Sequence, residues 1–304
     1  MSAEIIASAL GGAYRSGLWW RCRCPVHQSS GPTLALRDGA QGLIACCHAG
    51  CRRDDVLTEL CRLGLLGGGA GPVAVPEVAQ RDLEAEHRDR QRRTAASLDF
   101  WDHETVSPDG TAVERYWQAR GLASPIPPTI RASRSWLRHP EGGSRPAMVA
   151  LVQHAERGPI AIHRTWLQID GAAKASFRKP RLSLGPVGGG AVRLARANER
   201  QPLVIAEGIE TGASVMTATG LPTWAAISAT GIERLILPPL PLAAVVIIAA
   251  DHDRNGVGER AARAAAQRWL AEGRRVRIAL PPVVGTDWND VLLNKDHLEN
   301  SYAA

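Results

Sequence analysis

The C-terminal third of the chain alternates short apolar runs with helical stretches. Val245 to Ala250 is six apolar residues in succession, four of them β-branched, and predicts a strand buried on both faces, as inside a parallel sheet. Pro202–Ala206 and Arg275–Leu280 predict two further strands, and the Ala-rich stretch Glu259–Glu272 predicts a helix packed back on them. Each strand is followed by acid: Glu207-Gly208, then Asp251-x-Asp253, then Gly285-Thr286-Asp287-Trp288-Asn289-Asp290. Such an α/β sheet gathers carboxylates along the rim where open sheets bind ligands.

The preceding residues are more mixed. EIIASALGG predicts a short first helix, and Thr33–Arg37 and Gly42–Cys46 predict strands of a small ribbon. Leu63–Pro76, LGLLGGGAGPVAVP, reads as a linker, and Glu77–Glu104 as a helix with a solvated, Arg-rich face, HRDRQRR. Glu114–Leu122 predicts a helix closed by Gly121. Met148–Gln153, Ile160–Gln168 and Arg181–Leu184 predict strands, the middle one in a hairpin closed by Asp170-Gly171. Residues after about Asn294 read as loose. The expected organisation is α+β and α/β: an N-terminal β-ribbon module over residues 1–62, a linker and charged helix over 63–100, a mixed segment over 101–198, and a parallel-sheet domain over 199–304.

Composition narrows the partners. A chain of 304 residues with 45% hydrophobic and 22% charged residues is globular. Its net charge of +6 suits a polyanion. No apolar segment marks a signal peptide or membrane span, so a cytoplasmic protein is expected, and six cysteines in that compartment point to metal and not to disulfides.

Cys24, His27, Cys47 and Cys51 give C-x2-H, nineteen intervening residues, then C-x3-C, the donor set of a closed tetrahedral zinc site. Cys47 is preferred to Cys46, which would lengthen the second knuckle, and His48 is a further candidate. Asp251 and Asp253 are the first choice for Mg²⁺ or Mn²⁺, because hard cations take oxygen ligands and bridge to phosphates. Glu207 is a candidate for metal binding or proton transfer, and Asp287 is the third acidic station with Asp290 as fallback. His163, Arg164, Lys174, Arg178, Lys179 and Arg181 form a basic run, of which Arg164, Arg178, Lys179 and Arg181 are expected to contact nucleic acid or nucleotide. Trp19, Trp20 and Arg21 are candidates for stacking or phosphate contacts, or else for packing the ribbon.

These motifs carry a resemblance. The three acidic stations resemble the Toprim domain of bacterial-type primases, topoisomerases and some nucleases, with Glu210 where the similar bacterial primases often carry Asp. CPxH with Cys-His-Ala-Gly-Cys is similar to the zinc-binding domain of phage and plasmid primases. Tyr116–Gly121 and Lys179–Gly185 resemble the segment that precedes Toprim in those proteins. The resemblance implies a DNA primase, a DNA-directed RNA polymerase making short primers on single-stranded DNA from nucleoside triphosphates, encoded by a plasmid, phage or integrated element. No G-x-x-x-x-G-K-[ST] occurs, so the helicase is expected to be a separate partner. Tyr14, Tyr116 and Tyr302 lack the context of a topoisomerase nucleophile. The rivals are a metal-dependent nuclease and a non-catalytic single-strand-binding accessory protein.

Overall fold

A computed structural model of the chain describes residues 2–16, 18–29, 31–39, 42–66 and 77–293. It divides into two units, residues 1–87 and 88–304. Most of the expected linker and all of the expected loose tail lie outside the described residues.

The first unit opens with α1 (Ala3–Leu10), capped by the Ser2 hydroxyl and burying Ala3, Ile6 and Ala7 on one face. Four strands follow in an antiparallel ribbon in chain order: β1 (Tyr14–Ser16), β2 (Trp19–Cys22), β3 (Leu34–Gly39) and β4 (Gly42–Cys47). Then comes α2 (Arg53–Arg62). The Ala3 amide donates to Asp38 on β3 at 2.7 Å, which ties α1 to the ribbon. Ile6, Leu34, Leu36, Val56 and Leu60 make the core. So few large apolar residues stabilise a fold weakly, and a bound metal would supply much of what is missing.

The second unit begins within α3 (Glu77–His103) and continues through β5 (Thr105–Val106), α4 (Ala112–Ala119), β6 (Ile130–Ser133), β7 (Leu137–Arg138), β8 (Ser144–Arg145), β9 (Ala147–His154), β10 (Gly158–Trp166), β11 (Arg181–Leu184) and β12 (Gly190–Arg193). It ends with β13 (Leu203–Ala206), α5 (Ile209–Thr219), β14 (Thr223–Ala225), α6 (Ala229–Arg234), β15 (Val245–Ala249), α7 (Val257–Ala271) and β16 (Arg275–Ala279). One sheet runs through the unit in the order β11-β10-β9-β12-β14-β13-β15-β16, with β6 also on β9 and β5 on β6. Its β14-β13-β15-β16 part is parallel, and the rest is antiparallel.

Topology places the site. The chain leaves β13, returns through α5 on one side as β14, then crosses to β15 on the other side of β13. The crevice between the carboxyl ends of β13 and β15 is therefore a topological switch point. Ala206 pairs with Ala249, so Glu207 and the residues after Ala249 leave the sheet side by side.

Several expectations shift. The Asp170-Gly171 turn closes only a single bridge, Leu167 to Lys174, and β11 pairs with β10 beyond it. β16 is half exposed because it is the sheet's edge. β12, β14, α6 and the β7–β8 hairpin lie in Gly- and Pro-punctuated sequence, where elements of two to six residues carry too little periodicity to read.

Candidate functional site

Three carboxylates act electrostatically on Asp251 at the switch point. Glu207 follows β13, Asp251 and Asp253 lie in the loop between β15 and α7, and Asp287 comes from beyond β16. Burial, then the charges of Glu207, Asp287 and Asp253, push the Asp251 carboxyl up to about 7, against a hydrogen bond from Thr211. Its Oδ1 is buried without a hydrogen-bond partner. Burial and then Asp253 also raise Glu207, opposed by Arg181 and by the Ala229 backbone. Asp253 itself is exposed. Gly258 is what lets α7 approach this loop: a Cβ there would stand 2.9 Å from the Asp251 carbonyl oxygen and 3.5 Å from Asp253 Oδ2.

An acid raised by burial and then by neighbouring carboxylates, with one oxygen orphaned, is stabilised by a cation, and an all-oxygen donor set fits Mg²⁺ or Mn²⁺. The strand ends at Ala249, so Asp251 and Asp253 project from a loop.

Asp287 arrives by a separate device. Its Oδ1 accepts from the amides of Asn289 (2.8 Å) and Asp290 (2.9 Å), while its own amide donates to Asp290 Oδ2 at 3.0 Å. Asp287 thus caps the helical residues 288–293, with Asp290 as the reciprocal cap. His252, between the two loop acids, holds this segment in place. Its Nδ1 lies 2.8 Å from the Pro281 carbonyl, its amide donates to Thr286, and its carbonyl accepts from Gly285 at 2.6 Å.

Beneath the acids is a buried polar network. The Tyr116 hydroxyl donates to Glu210 Oε1 at 2.7 Å, and Lys174 Nζ lies 2.9 Å from the same oxygen. Burial alone would raise the Glu210 carboxyl, but Lys174 and then Tyr116 outweigh it and bring it down to about 2. Arg120 donates to Tyr116 at 3.3 Å and to Asn289 Oδ1 at 3.0 Å, and Asn289 donates back to the Arg120 carbonyl at 2.8 Å and to Ser214 at 3.0 Å. Asn289 is fully buried. The network therefore fixes α4, α5 and the Asp287 helix to one another.

The four basic candidates part company. Arg181 is exposed on β11 and acts electrostatically on Glu207. Arg178 and Lys179 are exposed just before it. Arg164 pairs with Leu182, so the pleat puts it on the opposite face from Arg181, and its guanidinium lies half-buried over the Trp166 ring at 5.1 Å. His163, on the Arg181 face, is buried and lowered to about 4 by desolvation and then by Arg181. It bonds Ser183 at 2.9 Å.

In the first unit the donor atoms of Cys24, His27, Cys47 and Cys51 all lie within 4.8 Å of one another. Cys24 and Cys51 sulfurs are 4.0 Å apart, and His27 Nδ1 stands 3.1 Å from Cys51 Sγ and 3.8 Å from Cys47 Sγ. Two thiolates bound tetrahedrally at about 2.3 Å would stand about 3.8 Å apart, so the cluster fits zinc. Thr33 Oγ1 lies 3.2 Å from His27 Nε2 and orients the ring so that Nδ1 faces the sulfurs. The β4 pleat turns Cys47 inward and leaves Cys46 exposed, and neither Cys46 nor His48 belongs to the cluster. Arg21 is committed to the Pro32 carbonyl (3.0 and 3.2 Å), Trp20 packs on the core, and Trp19 lies under Arg37. Thr33, Lys174, Thr211, His252 and Asn289 were not legible as partners, because each acts on a residue distant in sequence or looks like an ordinary polar residue.

Residues 202–296 match the family model of the Toprim domain, and residues 91–194 match a domain of unknown function, DUF7146. No curated protein matches the chain. Among solved structures the chain is similar to a DnaG primase catalytic domain bound to ssDNA, at 15% identity and TM-score 0.45 over 71% of this chain and 81% of that one. It is similar to the Aquifex aeolicus primase, zinc-binding and RNA polymerase domains, at 13% identity and TM-score 0.44 over 99% and 82%. A DNA primase domain from Pseudomonas aeruginosa matches at 17% identity and TM-score 0.37 over 66% and 60%. Among the described residues no helix is long and apolar enough to cross a membrane.

Proposed function

We propose, from a Toprim domain whose acids converge at one switch point, that this protein is a DNA primase-like nucleotidyltransferase joining ribonucleotides into short primers on single-stranded DNA. The observation that carries the reading is the carboxylate cluster with the orphaned Asp251 oxygen, faced by Arg181. Asp251 and Asp253 would hold a divalent cation, with Glu207 and Asp287 beside them. When bound, Mg²⁺ or Mn²⁺ would neutralise phosphate charge and lower the pKa of the attacking 3′ hydroxyl. Glu207, raised by burial and then by Asp253, would be the group to take that hydroxyl's proton. Arg181, Arg178 and Lys179 would position template or triphosphate, while Arg164, on the other face, would support β10 through Trp166. Cys24, His27, Cys47 and Cys51 would hold a structural zinc whose ribbon helps select template in the cytoplasm, with a replicative helicase as partner.

The test is de novo synthesis on circular single-stranded DNA with labelled ribonucleotides and Mg²⁺, beside an Asp251→Ala, Asp253→Ala double variant. Short products that vanish in the variant support the reading. Degraded template without products would instead assign a nuclease.

A further inference from the structure

The parallel part of the sheet stops at an open edge. β16 pairs with β15 on one side, and among the described residues no strand lies on its other side. The Arg275 amide donates to the Ala244 carbonyl at 2.9 Å, and the Ala279 carbonyl accepts from the Ala250 amide at 3.1 Å. Main-chain groups alternate along a strand, so residues 275, 277 and 279 turn theirs to β15, while the N–H and C=O of Val276 and Ile278 point away from the sheet. No strand or side chain among the described residues takes them up.

The two faces of this edge differ. Val276 and Leu280 pack with Trp269 and the α7 alanines, so Ile278 between them lies on the α7 side, where it and Leu270 are exposed. Arg275 and Arg277 lie on the opposite face, exposed, and their guanidinium groups make no hydrogen bond or ion pair among the described residues. Charged side chains keep an edge from pairing with strands at random. Here both charges have one sign and share one face, so they select as well as exclude. A second copy added antiparallel would set arginine against arginine across the seam, which destabilises, whereas a strand with carboxylates at alternate positions would set each of them against a guanidinium.

We infer that the outer edge of β16 takes up, as an added strand, an extended segment of a partner protein that is acidic at every second residue and apolar between. Its main chain bonds Val276 and Ile278, its acids meet Arg275 and Arg277, and its apolar residues lie against Ile278 and Leu270. This surface goes beyond the reading of the acidic site and does not rest on it.

The experiment is fluorescence anisotropy of the full chain with a labelled octapeptide alternating glutamate and valine, beside a lysine–valine octapeptide and N-methylated forms of the first. The glutamate peptide should bind at least about tenfold more tightly than the lysine one, and an Arg275→Ala, Arg277→Ala double variant should weaken its binding about tenfold. Directly opposed residues of an antiparallel pair exchange both bonds and share a face. Methylating the valine amides should therefore abolish an antiparallel addition, and methylating the glutamate amides a parallel one. Ile278→Pro removes an outward N–H without touching the β15 pairing, and should abolish binding while far-ultraviolet circular dichroism and Mg²⁺ affinity stay at their wild-type values. Binding no tighter than about 1 mM, equal binding of the lysine peptide, or indifference to both methylations overturns the inference. Peptide binding unmoved by the arginine variant does the same, as does a dimer dissolved by Ile278→Pro, which would give the edge to a second copy.

Discussion

Glu210 accepts a 2.7 Å hydrogen bond from the hydroxyl of Tyr116, 94 residues earlier, and the pair is buried. This bond joins the segment before the Toprim domain to the first helix of that domain. Lys174, itself a quarter exposed, completes the charge balance, so removing Glu210 leaves a half-buried cation and a buried phenol without their acceptor. Glu210→Ala should cost about 2–4 kcal/mol in urea unfolding, and Tyr116→Phe about 1 kcal/mol. The double variant should cost less than the sum. Additive costs would mean that the two act independently.

The same carboxylate fixes an acid limit. Its folded-state pKa lies near 2, below the ordinary 4.5, so its stabilisation is fully present above about pH 4.5 and is lost as pH falls toward 2. Stability measured across that window should drop more steeply for the wild type than for Glu210→Gln. Parallel curves would remove Glu210 from the acid response.

Asp251 behaves in the opposite sense. Its folded pKa, near 7, lies above the ordinary 3.8, so without cation the carboxyl costs stability progressively as pH rises from about 4 to 7. Asp251→Asn should therefore stabilise the Mg²⁺-free, zinc-loaded protein at pH 8, by about 1–2 kcal/mol given its partial exposure, while abolishing stabilisation by Mg²⁺. In the wild type, Mg²⁺ affinity should climb with pH and level off above about 7. Thermal shifts with and without Mg²⁺ across this range check both.

How much of this could be read from the chain follows from which contacts are local. Buried parallel strands appear as unbroken apolar runs, so β13, β15 and their terminal acids were legible. Period two distinguishes Cys47 from Cys46 once β4 is known to reach Cys47, and it also places Arg164 away from Arg181, which a list of basic residues cannot do. Lys174 and Asn289 find their partners 36 and 169 residues away, and no local pattern encodes such pairings. His252, between two acids, looks like another metal ligand, whereas its ring is turned to a carbonyl.

The Cys-His cluster gives a contrast between neighbours. Cys47→Ala should abolish zinc binding and unfold the first unit, whereas Cys46→Ala should leave both intact. Thr33→Ala, which removes only the group holding His27 Nε2, should weaken zinc affinity by about 10- to 100-fold. Zinc release to a chelating dye and far-ultraviolet circular dichroism report the two effects. Equal loss in Cys46→Ala would reassign the ligand.

His252 supplies the sharpest test of how the third acid is positioned. Asp287 is carried by a helix cap at the end of a loop, and the contacts of His252 with Pro281, Gly285 and Thr286 bind that loop directly to the Asp251–Asp253 turn. Two of those contacts use the His252 backbone and survive substitution, so the imidazole contributes one hydrogen bond, worth about 1 kcal/mol. His252→Ala should thus leave zinc content unchanged and lower the urea midpoint only by what about 1 kcal/mol allows, while weakening Mg²⁺ binding about fivefold, because Asp287 is no longer held against its charged neighbours. Asn at this position presents an amide N–H close to where the imidazole Nδ1–H donates, so His252→Asn should recover most of the loss. If Ala and Asn weaken Mg²⁺ binding equally, the ring contributes more than this bond, and His252 belongs with the ligands.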